Sequence, residues 1–298
     1  MWIHALLGSL CLSLALASPP GNRSDVSELV SQRVLAFQKP RIQIYNGVKE
    51  LEPFAPLVAI IRTSVDLEGV RWEKAWCGGS ILTPRHVLTA ANCVDYTHLG
   101  NLTIYAGLAH LNDRDLEAPL VQRSLVAGVQ VHPTANLAIF ALETPFQYTD
   151  KIQPIRIFET FFHLGDFDTS ATIYGFGDNR TPDQNDPWRH NVLLNRLDTQ
   201  IVNQGECQRA WTQNNFPRTI SGDEFCTKKH DHGVLGGDQG SPVIQFKTNY
   251  LTNEKIPVQI GVVSNYDQLT NDVPDIHWKV APHCVWLYHN TQNTFVCL

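Results

Sequence analysis

From Ile44 onward the chain alternates short apolar or two-residue-period runs with turn residues: PLVAIIR, GGSILT, HVLTAA, NLTIYAG, LVAGVQV, NLAIFAL, ATIYGFG, LDTQIV, SPVIQF and PVQIGVVS. Each run has strand length and is rich in Val, Ile and Thr. Each is bounded by Gly, Asn, Asp or Pro, whose local chemistry favours turns over ladders. The pattern predicts an all-β barrel or sandwich. A proline-flanked stretch, FQYTDKIQPIRIF, splits the runs into two sets of similar length, which suits two barrels packed side by side. The one good helical candidate is HCVWLYHN, which follows Pro282 near the end of the chain. No internal repeat and no low-complexity tract interrupts this layout.

The first residues follow a different pattern. MWIHALLGSLCLSLALAS is an apolar run ending in small residues, and Ala15-Leu16-Ala17 fits the small-x-small rule for signal-peptide cleavage, so residues 1–17 are expected to be a signal peptide. The run is shorter than the roughly 20 apolar residues that a membrane span needs, although His4 makes a weak stand-in for the usual Lys or Arg. Residues 18–43 are polar and read as a leader or pro-segment, leaving 44–298 as the main domain. Sequons at Asn22, Asn101 and Asn179 suit a secreted glycoprotein. Of seven cysteines, Cys11 falls in the signal. The remaining six, Cys77, Cys93, Cys207, Cys226, Cys284 and Cys297, form an even set that argues for disulfides in an oxidising compartment, with connectivity left open by sequence alone.

Composition narrows the partners. With 298 residues, 43% of them hydrophobic, the chain can bury a large core. Charged residues are 17% and the net charge is -6, so no basic face asks for nucleic acid or for an anionic membrane surface. Neither a nucleic-acid partner nor a membrane span is expected.

Three segments carry candidate chemistry: CGGSILTPRHVLTAANCV, then TANLAIFALETPF, then GGDQGSPV. In this order and at these separations they resemble the three catalytic segments of the trypsin/chymotrypsin-like serine proteases. Ile44-Tyr45-Asn46-Gly47, YGFGD at 174–178, NRLDTQIVNQGEC and VPDIHWKVAPHCVWL extend the resemblance to about residue 290. It implies a chymotrypsin-like fold, two six-stranded antiparallel β-barrels packed side by side with a C-terminal helix. Carried over position by position, the general-base histidine corresponds to Asn92, the orienting aspartate to Asn136 and the nucleophilic serine to Gln239. An amide has no usable basicity near neutral pH and offers neither hydroxyl nor thiol. The backbone N–H groups of Gly237 and Gln239 correspond to the oxyanion hole.

Further expectations rest on the same resemblance. Gly233 stands at the specificity position and Ser264-Asn265-Tyr266 along one pocket wall, where Tyr266 replaces a glycine and should narrow the pocket. Asp275 on the opposite wall is either an acid that attracts basic side chains or an exposed residue in the turn after Pro274. Ile44 and Asp238 keep both halves of the family's activation switch, with Asp238 alternatively a structural residue bonded to local backbone. Two family bridges imply Cys77–Cys93 and Cys207–Cys226, and Cys284 and Cys297 are left to pair. A third family bridge has lost both ends, one of them to Leu235.

Together these features imply a secreted, catalytically inactive serine protease homologue, a pseudoprotease with no cofactor and no metal. It would act by protein binding, as a regulator, cofactor or decoy in an extracellular proteolytic cascade of immune or melanisation type, or in a reproductive or salivary secretion. The partner class is a protease, a protease inhibitor or a receptor. Two alternatives stand beside it. One is an active serine hydrolase with a displaced triad, drawn from Ser241 or Ser80 with His86, His98 or His110. The other is a small-ligand-binding module in the old cleft.

Overall fold

Strand-length runs with one buried face must cover that face, and a sheet that closes on itself does so without leaving an edge. The computed structural model describes residues 44, 47–65, 71–94, 99–111, 117–159, 169–177, 192–214, 218–249, 251–265 and 273–298. Its strands in chain order are β1 (Val48–Glu50), β2 (Leu57–Val65), β3 (Arg71–Thr83), β4 (His86–Thr89), β5 (Leu102–Ala106), β6 (His110–Leu111), β7 (Gln122–Val131), β8 (Ala138–Leu142), β9 (Ser170–Gly175), β10 (Val192–Val202), β11 (Glu224–Lys228), β12 (Pro242–Thr248), β13 (Lys255–Asn265) and β14 (Asp275–Lys279). The first barrel closes in the order β2-β3-β4-β8-β7-β5. The second closes as β9-β10-β11-β14-β13-β12, because β9 pairs with both β10 and β12. Both are six-stranded and antiparallel, as the sequence pattern and the resemblance together anticipate, and β1 and β6 add short pairings along β10.

The barrel interiors take the branched residues that the runs supply. Ile60, Ile81, Leu88, Ile104, Ile139 and Phe140 are fully buried in the first barrel, and removing each such side chain from water is worth about 1.5–3 kcal/mol. Ile44, Ile173, Leu197, Val243 and Val263 fill the second. The barrels adhere through a continuous apolar cluster that joins Tyr174, Phe176, Ile244 and Val262 to the first core. They are also clasped by a buried hydrogen bond in which Ser80 Oγ donates to Gln259 Oε1 at 2.7 Å. Gly78 on β3 makes the approach possible: a Cβ there would lie 2.0 Å from Ser241 Oγ.

Among the described residues two α-helices accompany the barrels, one beside β11 of the second barrel and one packed through Leu287 and Trp286 against the core that includes the first. Helix α2 (Cys284–Asn290) is the helix expected after Pro282. Helix α1 (Gln204–Gln213) is not foreseen by the apolar pattern, since only Cys207 and Trp211 of its ten residues are buried. Its start is nevertheless encoded: Asn203 caps it by accepting the Glu206 N–H at 2.8 Å, the capping chemistry of a short polar side chain three residues before an acid. Disulfides join Cys77 to Cys93, Cys207 to Cys226 and Cys284 to Cys297. The last holds the C-terminal tail, which also donates from Leu298 N–H to Ile157 C=O and accepts from Glu159 N–H. Among the described residues no helix is long and apolar enough to cross a membrane.

Candidate functional site

Three loops converge where the barrels meet. The first leaves β4 as a single 3-10 turn, Ala91–Cys93. Cys93 is buried and bonded to Cys77 on β3, which fixes the turn and leaves Asn92 exposed at the rim. The second is the β7–β8 turn. Its His132 N–H donates to Leu137 C=O at 2.9 Å, and the ring Nδ1 of His132 accepts from the N–H groups of Thr134 (3.2 Å) and Ala135 (2.9 Å). This winding aims Asn136 inward.

Asn136 then ties the barrels together. Its Oδ1 accepts the Asn92 N–H at 2.9 Å, and its Nδ2 donates to Oγ of Ser264, fully buried on β13, at 2.8 Å. Only one amide orientation satisfies both contacts, since the main-chain N–H demands an acceptor and the Ser264 hydroxyl can rotate to accept.

The third loop is the glycine-framed turn between Leu235 and Ser241. Asp238 N–H donates to Leu235 C=O and Ser241 N–H to Asp238 C=O, both at 3.0 Å. The turn is stitched to β13 by Gly240 N–H to Val263 C=O, and to the first barrel by Gly78 N–H to Gln239 C=O at 2.7 Å. Gly240 has φ +82°, and a Cβ there would meet Thr89 Oγ1 at 2.2 Å and the Gly78 carbonyl at 2.4 Å, so no other residue fits. The result presents the half-buried Gln239 at the barrel junction. The N–H groups of Gly237 and Gln239 have no hydrogen-bond partner among the described residues.

The carboxylate of Asp238, fully buried, accepts the Gly177 N–H at 2.8 Å and the Leu235 N–H at 2.9 Å. Charge-assisted bonds of this kind offset the cost of taking a carboxylate out of water. Ile44 lies fully buried in the second barrel's core, with its carbonyl accepting the Gly47 N–H.

On the pocket side, Gly233 is buried and Asn265 ends β13. Tyr266 lies outside the described residues, as do His98, Asn22, Asn179, residues 1–17 and residues 18–43. Asn101 is exposed, at the end of the 3-10 turn that leads into β5. Asp275 is only 7% exposed, so it is not an exposed turn residue. It opens β14 and its Oδ2 accepts the Val234 N–H at 3.1 Å. Two positions further on lies a residue that the sequence does not flag. His277 is fully buried, its Nε2 paired with Thr227 Oγ1 at 2.8 Å and its Nδ1 without a partner among the described residues. Burial pushes its pKa down from 6.5 to about 3.

Two groups of the displaced-triad alternative are engaged elsewhere. Ser80 Oγ is spent on Gln259, and His86 Nδ1 pairs with Thr83 Oγ1 at 2.8 Å. Ser241 Oγ is buried and has no hydrogen-bond partner among the described residues.

The family model "Trypsin" matches residues 59–287, which includes both barrels and all three loops. The chain belongs to the trypsin family. Relatives within it are distant. Over 264 residues the chain is 23% identical to a venom serine protease of Polistes dominula, covering 86% of this chain and 87% of that protein. Serine protease 28 of Mus musculus is 24% identical, covering 72% and 78% respectively. Clotting factor C of Tachypleus tridentatus is 27% identical over 187 residues, 56% of this chain but 18% of that much longer protein. In this trypsin-family chain the junction of the barrels thus carries Asn92, Asn136 and Gln239 on three loops braced from both sides.

Proposed function

We propose that this trypsin-family protein has no peptidase activity and acts outside the cell by binding another protein. The observation that carries the reading is the Asn92–Asn136–Ser264 chain of hydrogen bonds beside Gln239. Amides stand at the three positions that correspond to base, orienting acid and nucleophile, and two of them are joined in a bonded arrangement. Neither Asn92 nor Asn136 can take up a proton near neutral pH, and Gln239 has no group to attack a carbonyl. The free N–H groups of Gly237 and Gln239 can polarise a carbonyl but have no nucleophile to work with.

The supporting context is extracellular. Three disulfides belong in an oxidising compartment, and relatives named for venom and for clotting fit a role in secreted fluids or in a proteolytic cascade. Within such a cascade the protein serves as a regulator, cofactor or decoy, and its partner is a protease, a protease inhibitor or a receptor.

The test is chemical. The purified protein is incubated with a fluorophosphonate probe and with a mixed peptide library, beside the triple variant N92H/N136D/Q239S. The unaltered protein is expected to take up no label and cleave nothing. Covalent labelling, abolished by a serine substitution, would overturn the reading. Binding is measured in parallel by surface plasmon resonance against extracellular trypsin-family proteases and their protein inhibitors, with a micromolar or tighter Kd expected for at least one.

A further inference from the structure

The turn that carries Asn136 is held by a titratable lone pair. His132 Nδ1 accepts two main-chain protons, from Thr134 N–H at 3.2 Å and Ala135 N–H at 2.9 Å. A neutral imidazole has one acceptor nitrogen, so this geometry requires the ring proton to sit on Nε2. In the imidazolium both nitrogens are donors. Protonation would therefore point an N–H at two other N–H groups, and the bonds that wind the turn would be replaced by repulsion.

The surroundings leave a second proton little support. The ring meets His283 edge-on with centroids 4.5 Å apart, and Trp286 of α2 at 4.9 Å. Trp278 of β14 lies behind His283 at 6.5 Å. Asp223, in the turn before β11, is the acid that favours a charged ring at both His132 and His283, while burial disfavours it. Asp223 also faces Lys279 of β14, whose Nζ donates to the Gly222 carbonyl. The acid is thus shared between Lys279 and the two rings. A charged His132 further opposes protonation of His283.

We propose that His132 makes the β7–β8 turn a pH-sensitive latch: the neutral ring holds Asn136 against Asn92 and Ser264, and protonation releases the turn and withdraws Asn136 from the barrel junction. The junction is closed at neutral pH and loosens on acidification. Whether the junction binds or catalyses does not enter this inference. Burial places the folded-state pKa of His132 below the usual 6.5. A base with a depressed pKa contributes its full stabilisation above the unfolded value, so the latch is complete above 6.5. Each unit of pH below that shifts the closed-to-open ratio about tenfold toward open, until the folded pKa is reached.

The experiment is a pH titration of the folded protein by amide NMR from pH 7.5 to 5.0. It follows the main-chain amides of Thr134, Ala135 and Asn92 and the side-chain amide of Asn136, with Phe140 on β8 as an internal standard. The four junction signals are expected to move together with one midpoint below 6.5 while Phe140 stays fixed. His132→Asn keeps a short acceptor that does not titrate, of the kind that closes an Asx turn. It should hold the junction signals at their neutral-pH positions throughout. His132→Leu should place them at the acid-limit positions at every pH. The proposal is overturned if wild-type signals do not move, if His132→Asn titrates as wild type does, if His283→Phe abolishes the transition while His132→Asn leaves it, or if Phe140 moves with the others, which would mark general unfolding.

Discussion

Lowering the pH should destabilise this protein through one buried side chain more than through any other described histidine, and the size of the effect can be worked out. His277 is fully buried, with its Nδ1 facing no partner among the described residues, and its pKa falls to about 3 against 6.5 when free. It is neutral in the folded state and protonated in the unfolded chain at any pH between those values. The stability it supports is therefore intact above pH 6.5 and is lost as the pH falls toward 3. At about 1.36 kcal/mol per unit, moving from pH 7.5 to 4.5 removes roughly 2.7 kcal/mol through His277 alone. The comparison protein is T227V/H277F, which deletes the Thr227–His277 hydrogen bond together with both of its partners. Removing both members of a buried pair is close to neutral, and the ring volume is nearly kept, so the variant should lie within about 1–2 kcal/mol of wild type at pH 7.5. Urea unfolding at the two pH values measures the difference. Wild type should lose roughly 2–3 kcal/mol more than the variant, equivalent to about 1 M in urea midpoint. His86, His132 and His283, also lowered by burial, are common to both proteins and cancel. Equal losses in the two proteins would refute the reasoning.

Other expectations follow from the same structure. Replacing Cys284 and Cys297 by Ala opens a link of 13 residues' separation. It should cost about 3 kcal/mol by chain entropy, or roughly 6–12 °C in Tm by calorimetry, without releasing the tail bonds between Leu298 and residues 157 and 159. Gly240→Ala forces a positive φ on alanine and drives its Cβ into the Gly78 carbonyl. A loss of at least about 2–3 kcal/mol is expected. Gly100→Ala, which meets nothing within 4 Å, should stay within about 0.5 kcal/mol, and similar losses for the two would contradict the close approach. Asn136→Asp should keep the bridge, because the Ser264 hydroxyl can turn to donate. Asn136→Leu should cost about 1 kcal/mol by removing the acceptor of the Asn92 N–H and one donor to Ser264 Oγ, read as lost amide protection at Asn92.

The sequence carries the junction more clearly than it carries its supports. Asn92, Asn136 and Gln239 are found by motif, because a cysteine-anchored turn, a strand entry and a glycine-framed loop each leave local marks. Helix α1 is missed by apolar spacing because its buried face is two residues wide, although the Asn203–Glu206 cap is written in the sequence. The sequence pattern does not reveal β1 and β6, which are three and two residues long and exist only as partners of β10. Asp275 follows a proline and so reads as a turn or a pocket acid. The pairing of β14 with β13, which sets Ile276 opposite Asn265, instead buries it against the Val234 N–H. His132 and His277 are invisible for a related reason. What makes each matter is a partner far along the chain or a main-chain donor two or three residues on, and neither follows from residue type.

The bracing of the junction explains how its shape can be independent of the chemistry at its centre. The backbone hydrogen bonds that position Gln239 are made by main chain: Gly78 N–H to its carbonyl, Gly240 N–H to Val263, Ser241 N–H to Asp238. The contact that positions Asn92 is its own N–H, received by Asn136. None of these bonds needs a charge at positions 92, 136 or 239. The one charged group that the frame does use is Asp238, whose two oxygens each accept a main-chain proton from separate segments, at Gly177 and Leu235. Removing that carboxylate would strand two buried N–H groups, whereas exchanging amide for acid or hydroxyl at the junction strands none. The frame therefore constrains residue 238 and its flanking glycine at 240 far more tightly than residues 92 or 239, and substitutions at the two pairs of positions should separate cleanly in stability.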